Sequence, residues 1–366
     1  MGFHIVKREN CPLWKKTVFY AVAIVSALVL GGVFLLAIGV NPFAYYSRMF
    51  TMGTLGNRIA YKTFINYLKD FVPLTLTAVG LSLAFKMRFW NIGGEGQFIM
   101  GAIASSAVAI LLGNTLPSGV VLLLMCLAAM VVAGIYGLVV AALKVRFGTN
   151  ETLLTLMLNY IALYVLKYLM ETKVSWNFFL SAAELRPVPQ SHPAGSMFPT
   201  FPMGGKFELN LCVILTVIIG VLIYLYLKHT KQGYEIAVVG DSAGTARYAG
   251  MKVNVIVLRT VFFSACLIGL AAAFKMGTVG TLSTAITNDV GWTGIIVAWL
   301  SQLNTGVIFV VSALISVLHY GSTVAAATFS QVDSSFANML QGFILFLILA
   351  ADFMIRFRIV RNKKEG

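Results

Sequence analysis

Between Phe89 and Ala102 the chain reads FWNIGGEGQFIMGA, so Gly93, Gly94, Gly96, Asn91, Glu95 and Gln97 fall between two apolar stretches. In a chain that is 59% hydrophobic, this pattern marks an interrupted membrane helix. Bare backbone and a carboxylate at membrane depth are costly unless protein or a water-filled cavity surrounds them. The glycines are therefore expected to unwind the chain so that Asn91, Glu95 or Gln97 faces a cavity through which polar cargo can pass.

The remaining composition fits that reading. A mean hydropathy of +0.87 with 33 glycines and 11% charged residues describes an all-α, polytopic integral membrane helical bundle. At about 20 apolar residues per crossing there is room for roughly ten spans. They are expected at Thr17–Ile38, Phe71–Phe85, Gln97–Leu112, Val120–Ala142, Leu153–Met170, Leu211–Leu227, Val255–Phe274, Trp292–Leu303, Val307–Val324 and Met339–Ile355. The net charge of +14 is scattered through short loops, which argues against a nucleic-acid-binding patch. With the amino terminus inside, 18 of the 27 basic residues fall on the cytoplasmic side, so both termini are expected in the cytoplasm. The first span has no small-residue cleavage site and is expected to be retained. The expected organisation is residues 1–70 as first span and external segment, 71–355 as the transmembrane core, and 356–366 as a basic tail.

Three loops stand out. Asn41 to Asp70 mixes aromatic and basic residues and is expected to lie in the external membrane interface. Residues 171–209 carry five of the nine prolines and serve either as a docking surface for an external protein or as a connector. Residues 228–254 are expected in the cytoplasm. There Asp241 or Ser242 can cap a short helix over Ala243–Tyr248 that Gly250 ends, a surface suited to contact with another subunit.

Smaller polar clusters carry both local and functional readings. Asn150 can cap the fifth span, with Glu151 at its positive end; Asn159, two turns on, either lines a pathway or bonds a neighbouring helix. Asp289 is a gate or a helix cap, and Trp292 is placed to meet a passing flat ring. Asp352 and Arg356 have the spacing of a helical ion pair. No phosphate-binding GxxxxGK[ST] loop and no zinc-type cluster occurs, so the chain is not expected to hydrolyse ATP or bind a cofactor. A self-sufficient ion-coupled transporter would instead rely on Glu95 or Asp289.

The segments PLTLTAVGLSLAFKMRFWNIGGEGQFIMGAIA (Pro73–Ala104), GTNETLLTLMLNYIALY (Gly148–Tyr164), GDSAGTARYAGMKV (Gly240–Val253) and DVGWTGIIVAWL (Asp289–Leu300) resemble permease subunits of ABC importers for nucleosides and simple sugars. These are distant kin of the branched-chain amino-acid permeases. The resemblance implies a second permease subunit, a separate ATPase that binds ATP-Mg on two nucleotide-binding modules, and an external lipid-anchored binding protein. It also implies that Ser242 to Gly250 is the coupling helix, with Asp241, Gly244 and Arg247 at the ATPase contact, and that Asn91 to Gln97 borders the pathway. The nucleoside branch is the nearest in these blocks, with sugar and branched-chain amino-acid permeases as alternatives. Ser301–Gly306 reads SQLNTG where the family usually has an Asn-Pro pair. AFKM recurs at Ala84–Met87 and Ala273–Met276, as an inverted repeat of spans two to five and seven to ten would require.

Overall fold

The computed structural model describes residues 3–7, 12–54, 60–204, 207–333 and 335–361. In chain order the elements are β1 (Phe3–Lys7), α1 (Leu13–Ala37), α2 (Pro42–Phe50), α3 (Ala60–Lys86), α4 (Gly94–Leu112), α5 (Ser118–Phe147) and α6 (Glu151–Glu171). They continue with β2 (Thr200–Gly204), β3 (Phe207–Asn210), α7 (Leu211–His229), α8 (Lys231–Asp241), α9 (Ala243–Tyr248), α10 (Val253–Val279), α11 (Val290–Leu300), α12 (Thr305–Ala326), α13 (Phe336–Arg356) and β4 (Phe357–Arg361). Among the described residues, nine helices are long and apolar enough to cross a membrane, so this is a multi-pass helical membrane protein.

Two expectations from sequence need correction. The eighth span is not a full crossing: α11 has 11 residues, about 16 Å of helix, roughly half the hydrocarbon thickness. The second span begins at Ala60, so the stretch from Asn41 to Asp70 is not one interfacial segment. Lys69 and Asp70 resemble loop residues in sequence, but Asp70 pairs with Lys275 of α10 at 2.8 Å, which lets the helix carry its charges. Asn41 caps α2 by accepting from the Phe43 amide at 3.0 Å, with Pro42 at the first helical position. The Asp352 and Arg356 side chains lie outside the described residues.

The contacts divide the chain into two compact units, residues 1–63 with 315–366 and residues 64–314. In the first, β1 pairs antiparallel with β4, and α1 packs on α13. Tyr45 is fully buried there rather than interfacial; its ring meets Phe336 edge-on at 5.0 Å and its hydroxyl bonds Ser322 at 2.8 Å.

The second unit holds the central core, in which α4, α5 and α10 pack against one another and α6 and α11 pack on α4. Helix α10 is buried along most of its length, and its Ser264 hydroxyl donates to the Gly80 carbonyl of α3 at 2.7 Å. Leu123, Leu127, Val131 and Ile135 of α5 stay exposed at four-residue spacing, the pattern of a lipid-facing stripe.

This unit has two distinct ends. At one, residues 172–204 fold back onto the bundle: the His192 amide donates to Gly280 O and the Phe198 amide to Gly277 O, at 2.8 and 2.9 Å. The His192 ring bonds Ser106 of α4 at 2.7 Å, and burial pushes its imidazole down to about 4, which keeps it neutral near pH 7. Gly280, at φ +76°, closes α10 in the left-handed conformation that glycine adopts without strain. At the other end, Ala84, Met87, Phe89, Val239, Ala246 and Val253 form one buried cluster that joins α3 to α8, α9 and α10. Gly240 sits so close to the Lys86 carbonyl that a Cβ there would lie 2.0 Å from the oxygen.

Candidate functional site

The break after α3 is held by side chains of its own segment and of α6. Asn91 is fully buried, and its amide exchanges two hydrogen bonds with the Gln97 amide, each 3.2 Å. Asn91 Oδ1 also accepts from the Gly93 amide at 3.1 Å. From α6, Asn159 accepts from the Gly96 amide at 2.8 Å and donates to the Ile92 carbonyl at 2.9 Å, while the Thr155 hydroxyl accepts from the Ile92 amide. Backbone groups freed by the break thus find partners inside the protein, as membrane depth demands.

Gly93, Gly94 and Gly96 each permit close packing against neighbouring groups. A Cβ at Gly96 would lie 2.9 Å from Asn159 Oδ1, and one at Gly94 would lie 3.3 Å from the Leu81 side chain. Asn91 and Gln97, with each other as partners, brace the break.

Glu95 points away from this brace toward α11. Its carboxylate accepts from the Gly291 amide at 2.8 Å. Negative charge at a helix N-terminus satisfies unpaired amides and opposes the helix dipole. The sequence offers Asp289 as a gate or as a cap for α11. It occupies the N-cap position at φ +57°, but its side chain makes no capping bond, and Glu95, 196 residues away from Gly291, accepts there instead. At Gly291 the two chains nearly touch: a Cβ would lie 2.2 Å from the Glu95 nitrogen.

Two interrupted helices therefore meet end to end. Residues 87–93 lead into α4 from the end that bears Lys86, and residues 281–289 lead into α11 from the end covered by the 172–204 loop. Entry from opposite ends is the relation that an inverted repeat requires. Beside the junction is a cavity of about 310 Å³ lined by Glu95, Asn159, Tyr160, Thr287, Asn288, Asp289 and Trp292, among others. Its size falls near the lower end of the roughly 300–1,000 Å³ typical of ligand sites. Thr287, Asn288 and Asp289 belong to the stretch from Thr278 to Asp289 that the inverted repeat sets opposite the GGEGQ break, whereas nothing in the sequence singles out Tyr160 beyond its place next to Asn159 on α6.

The remaining candidates lie elsewhere. Asn150 caps α6 by accepting from Thr152 and Leu153 amides, and Glu151 pairs with Lys144, so both have local roles at the Lys86 end. Ser242 caps α9 by accepting from the Thr245 amide at 3.2 Å; Asp241 is the last residue of α8. Gly250, at φ +77°, follows the end of α9. Gly244 and Arg247 are exposed, while Ala246 is fully buried. Asp241, Ser242 and Arg247 line a cleft of about 420 Å³ together with Arg88 and Lys144.

An apolar helical bundle with interrupted helices meeting beside a polar cavity is the architecture of a membrane permease. The chain belongs to the family described as the branched-chain amino acid transport system / permease component, whose model matches residues 63–349. It is 27% identical to the glucose ABC transporter permease protein TsgB13 of Haloferax volcanii, over 96% of this chain and 92% of that protein. It is also 27% identical to the guanosine ABC transporter permease protein NupP of Bacillus subtilis, over 94% of this chain and 96% of that one. Identity to the nucleoside ABC transporter permease protein NupB of Lactococcus lactis is 26%, over 95% and 94%.

Proposed function

We propose that this chain is the permease subunit of an ATP-driven ABC importer that carries nucleosides across the cytoplasmic membrane. The observation that carries the reading is the polar cavity at the junction of the two half-helices. Its amide and hydroxyl groups suit a ribose, and Trp292 offers a flat ring to a base. The lining includes two carboxylates and neither lysine nor arginine. A cargo carboxylate or phosphate would meet like charge there, and the α11 N-terminus that could receive an anion is already taken by Glu95. Neutral cargo is favoured over a branched-chain amino acid on these grounds. The relatives named for guanosine and nucleosides favour the nucleoside, while the one named for glucose supports a neutral sugar as the second reading. Because the Gly291 amide engages Glu95, that carboxylate is poorly placed for ion coupling.

In this assembly a second permease subunit completes the pathway, a separate ATPase binds ATP-Mg, and an external lipid-anchored protein delivers cargo. The chain itself binds no cofactor or nucleic acid, both termini face the cytoplasm, and α9 with Asp241, Ser242, Gly244, Arg247 and Gly250 forms the ATPase contact. Deletion of the chain is expected to abolish accumulation of labelled nucleoside in cells carrying the intact system, and excess uridine, guanosine or adenosine to suppress it. Loss of ribose, galactose or leucine uptake instead, with nucleoside uptake intact, would overturn the cargo assignment.

Sidedness has its own test. Ser191 and Ser242 are both exposed, at opposite ends of the second unit. Single cysteines at these positions, in a background without the native four, should differ: Ser191→Cys reacts with an impermeant reagent from outside and Ser242→Cys does not. Equal labelling of both would sink the proposed orientation.

A further inference from the structure

One face of α6 is not explained by the site described above. Tyr160, Tyr164 and Tyr168 recur every four residues, so their rings project from one side of the helix at intervals of about 6 Å. All three are half or more exposed, and among the described residues none of their hydroxyls has a hydrogen-bond partner. At one end of the row Tyr160 lines the cavity beside Asn159 and Trp292. At the other, Tyr168 stacks on Trp176 of the 172–204 loop, with ring centroids 6.3 Å apart and planes 28° apart. Between them, the Lys167 ammonium lies 5.4 Å from the Tyr164 ring centroid, a cation–π contact that helps fix its orientation.

Met157, Ile161 and Val165 share this exposed side, and the three tyrosines set it apart from an all-aliphatic lipid face. Tyrosines anchor helices at the membrane surface, where the hydroxyl meets water, and Tyr168 with Trp176 fits that role. Tyr160 does not, because it is the tenth of the 21 residues of α6 and lies midway along the helix. A phenol held against hydrocarbon at that depth leaves its hydroxyl unsatisfied, and the apolar stripe of α5 shows what a lipid-facing surface in this chain looks like. The row is continuous with a polar cavity at one end and with the covering loop at the other.

We propose that Tyr160, Tyr164 and Tyr168 form a stacking ladder along which the flat base of a nucleoside passes between the Trp176 end and the cavity at Trp292. This rests on the nucleoside reading of the cavity. Stacking is tolerant of base identity, since every base has a π-face, so the ladder moves purines and pyrimidines alike. It gives a neutral sugar no comparable hold.

The test is initial-rate uptake of labelled uridine and adenosine by cells carrying the intact system with Tyr164→Leu or Tyr164→Phe in this chain, beside a strain lacking the chain. Tyr164→Leu removes the ring but not the apolar bulk, and is expected to lower uptake at limiting nucleoside about tenfold, the scale of one lost base–aromatic stack. Tyr164→Phe keeps the ring and should stay within about twofold of wild type. The amount of the chain in the membrane and its co-purification with the ATPase should be unchanged in both. Wild-type uptake by Tyr164→Leu, in cells whose uptake depends on the chain, overturns the ladder and leaves the nucleoside reading standing. So does loss of the assembled complex in Tyr164→Leu, which makes the row a packing face. Nucleoside uptake that persists without the chain overturns both.

Discussion

Replacing Gly291 with alanine is expected to abolish uptake and to lower the thermal stability of the purified protein. The new Cβ would lie 2.2 Å from the Glu95 nitrogen and 2.5 Å from its Cα, and these backbone atoms cannot rotate away. The two half-helices would have to part. Overpacking costs about 1–3 kcal/mol where side chains can yield, and more where they cannot. Changes at Glu95 should be graded below this. Glu95→Ala removes the acceptor for the Gly291 amide and leaves a buried donor unpaired, at a cost of about 1–3 kcal/mol. Glu95→Gln keeps an acceptor and loses only the charge at the α11 N-terminus, so uptake should fall less than about tenfold. Thermal unfolding in detergent and initial-rate uptake read both quantities. A Gly291→Ala protein that melts and transports like wild type would show that α4 and α11 do not meet as described.

Gly244→Trp is expected to remove nucleoside-stimulated ATP hydrolysis in the reconstituted complex while leaving the amount of protein in the membrane unchanged. Gly244 is exposed on α9, and the nearest atom to a Cβ there is Ser242 Oγ at 3.7 Å, so the fold can accept a large side chain. A partner seated on that surface cannot. The loss should be roughly tenfold or more, as for the central residue of an interface. Ala246, two residues on, gives a different result: it is fully buried in the cluster with Met87 and Phe89, so Ala246→Leu should lower the protein level before it changes coupling. Arg247→Lys should also weaken stimulation, because an ammonium replaces a planar guanidinium poorly at a bidentate contact. Undiminished stimulation in Gly244→Trp would make α9 a connector.

The interruption at Asn91 to Gln97 and the helix over Ala243–Tyr248 were legible because glycines and capping residues act locally. What the break does was less legible. Sequence places Asn91, Glu95 and Gln97 together without saying that Asn91 and Gln97 face each other while Glu95 turns to a helix almost 200 residues downstream. The start of α3 at Ala60 was hidden for a similar reason. Lys69 and Asp70 look like loop residues until α10 supplies Lys275 as the partner. The shortness of α11 was masked by composition, since Ile295, Ile296 and Leu300 continue the apolar pattern of a crossing while the residues before Val290 enter without helix. Tyr160 was hidden because a ring beside Asn159 reads as packing until its exposure is known.

The glycine contact between α8 and the end of α3 has a mechanical consequence. Gly240 rests against the Lys86 carbonyl with no side chain between, and Met87 and Phe89, which follow, share a buried cluster with Ala246 of α9. A load applied to the exposed side of α9 therefore meets a stiff strut of main chain rather than a cushion of rotatable groups. Residues 87–93, which carry no helix of their own, connect this contact to α4, with Glu95 in its first turn. If α9 is the ATPase contact, such a linkage would carry a push to the junction as displacement of a whole half-helix, with little lost to side-chain rearrangement on the way.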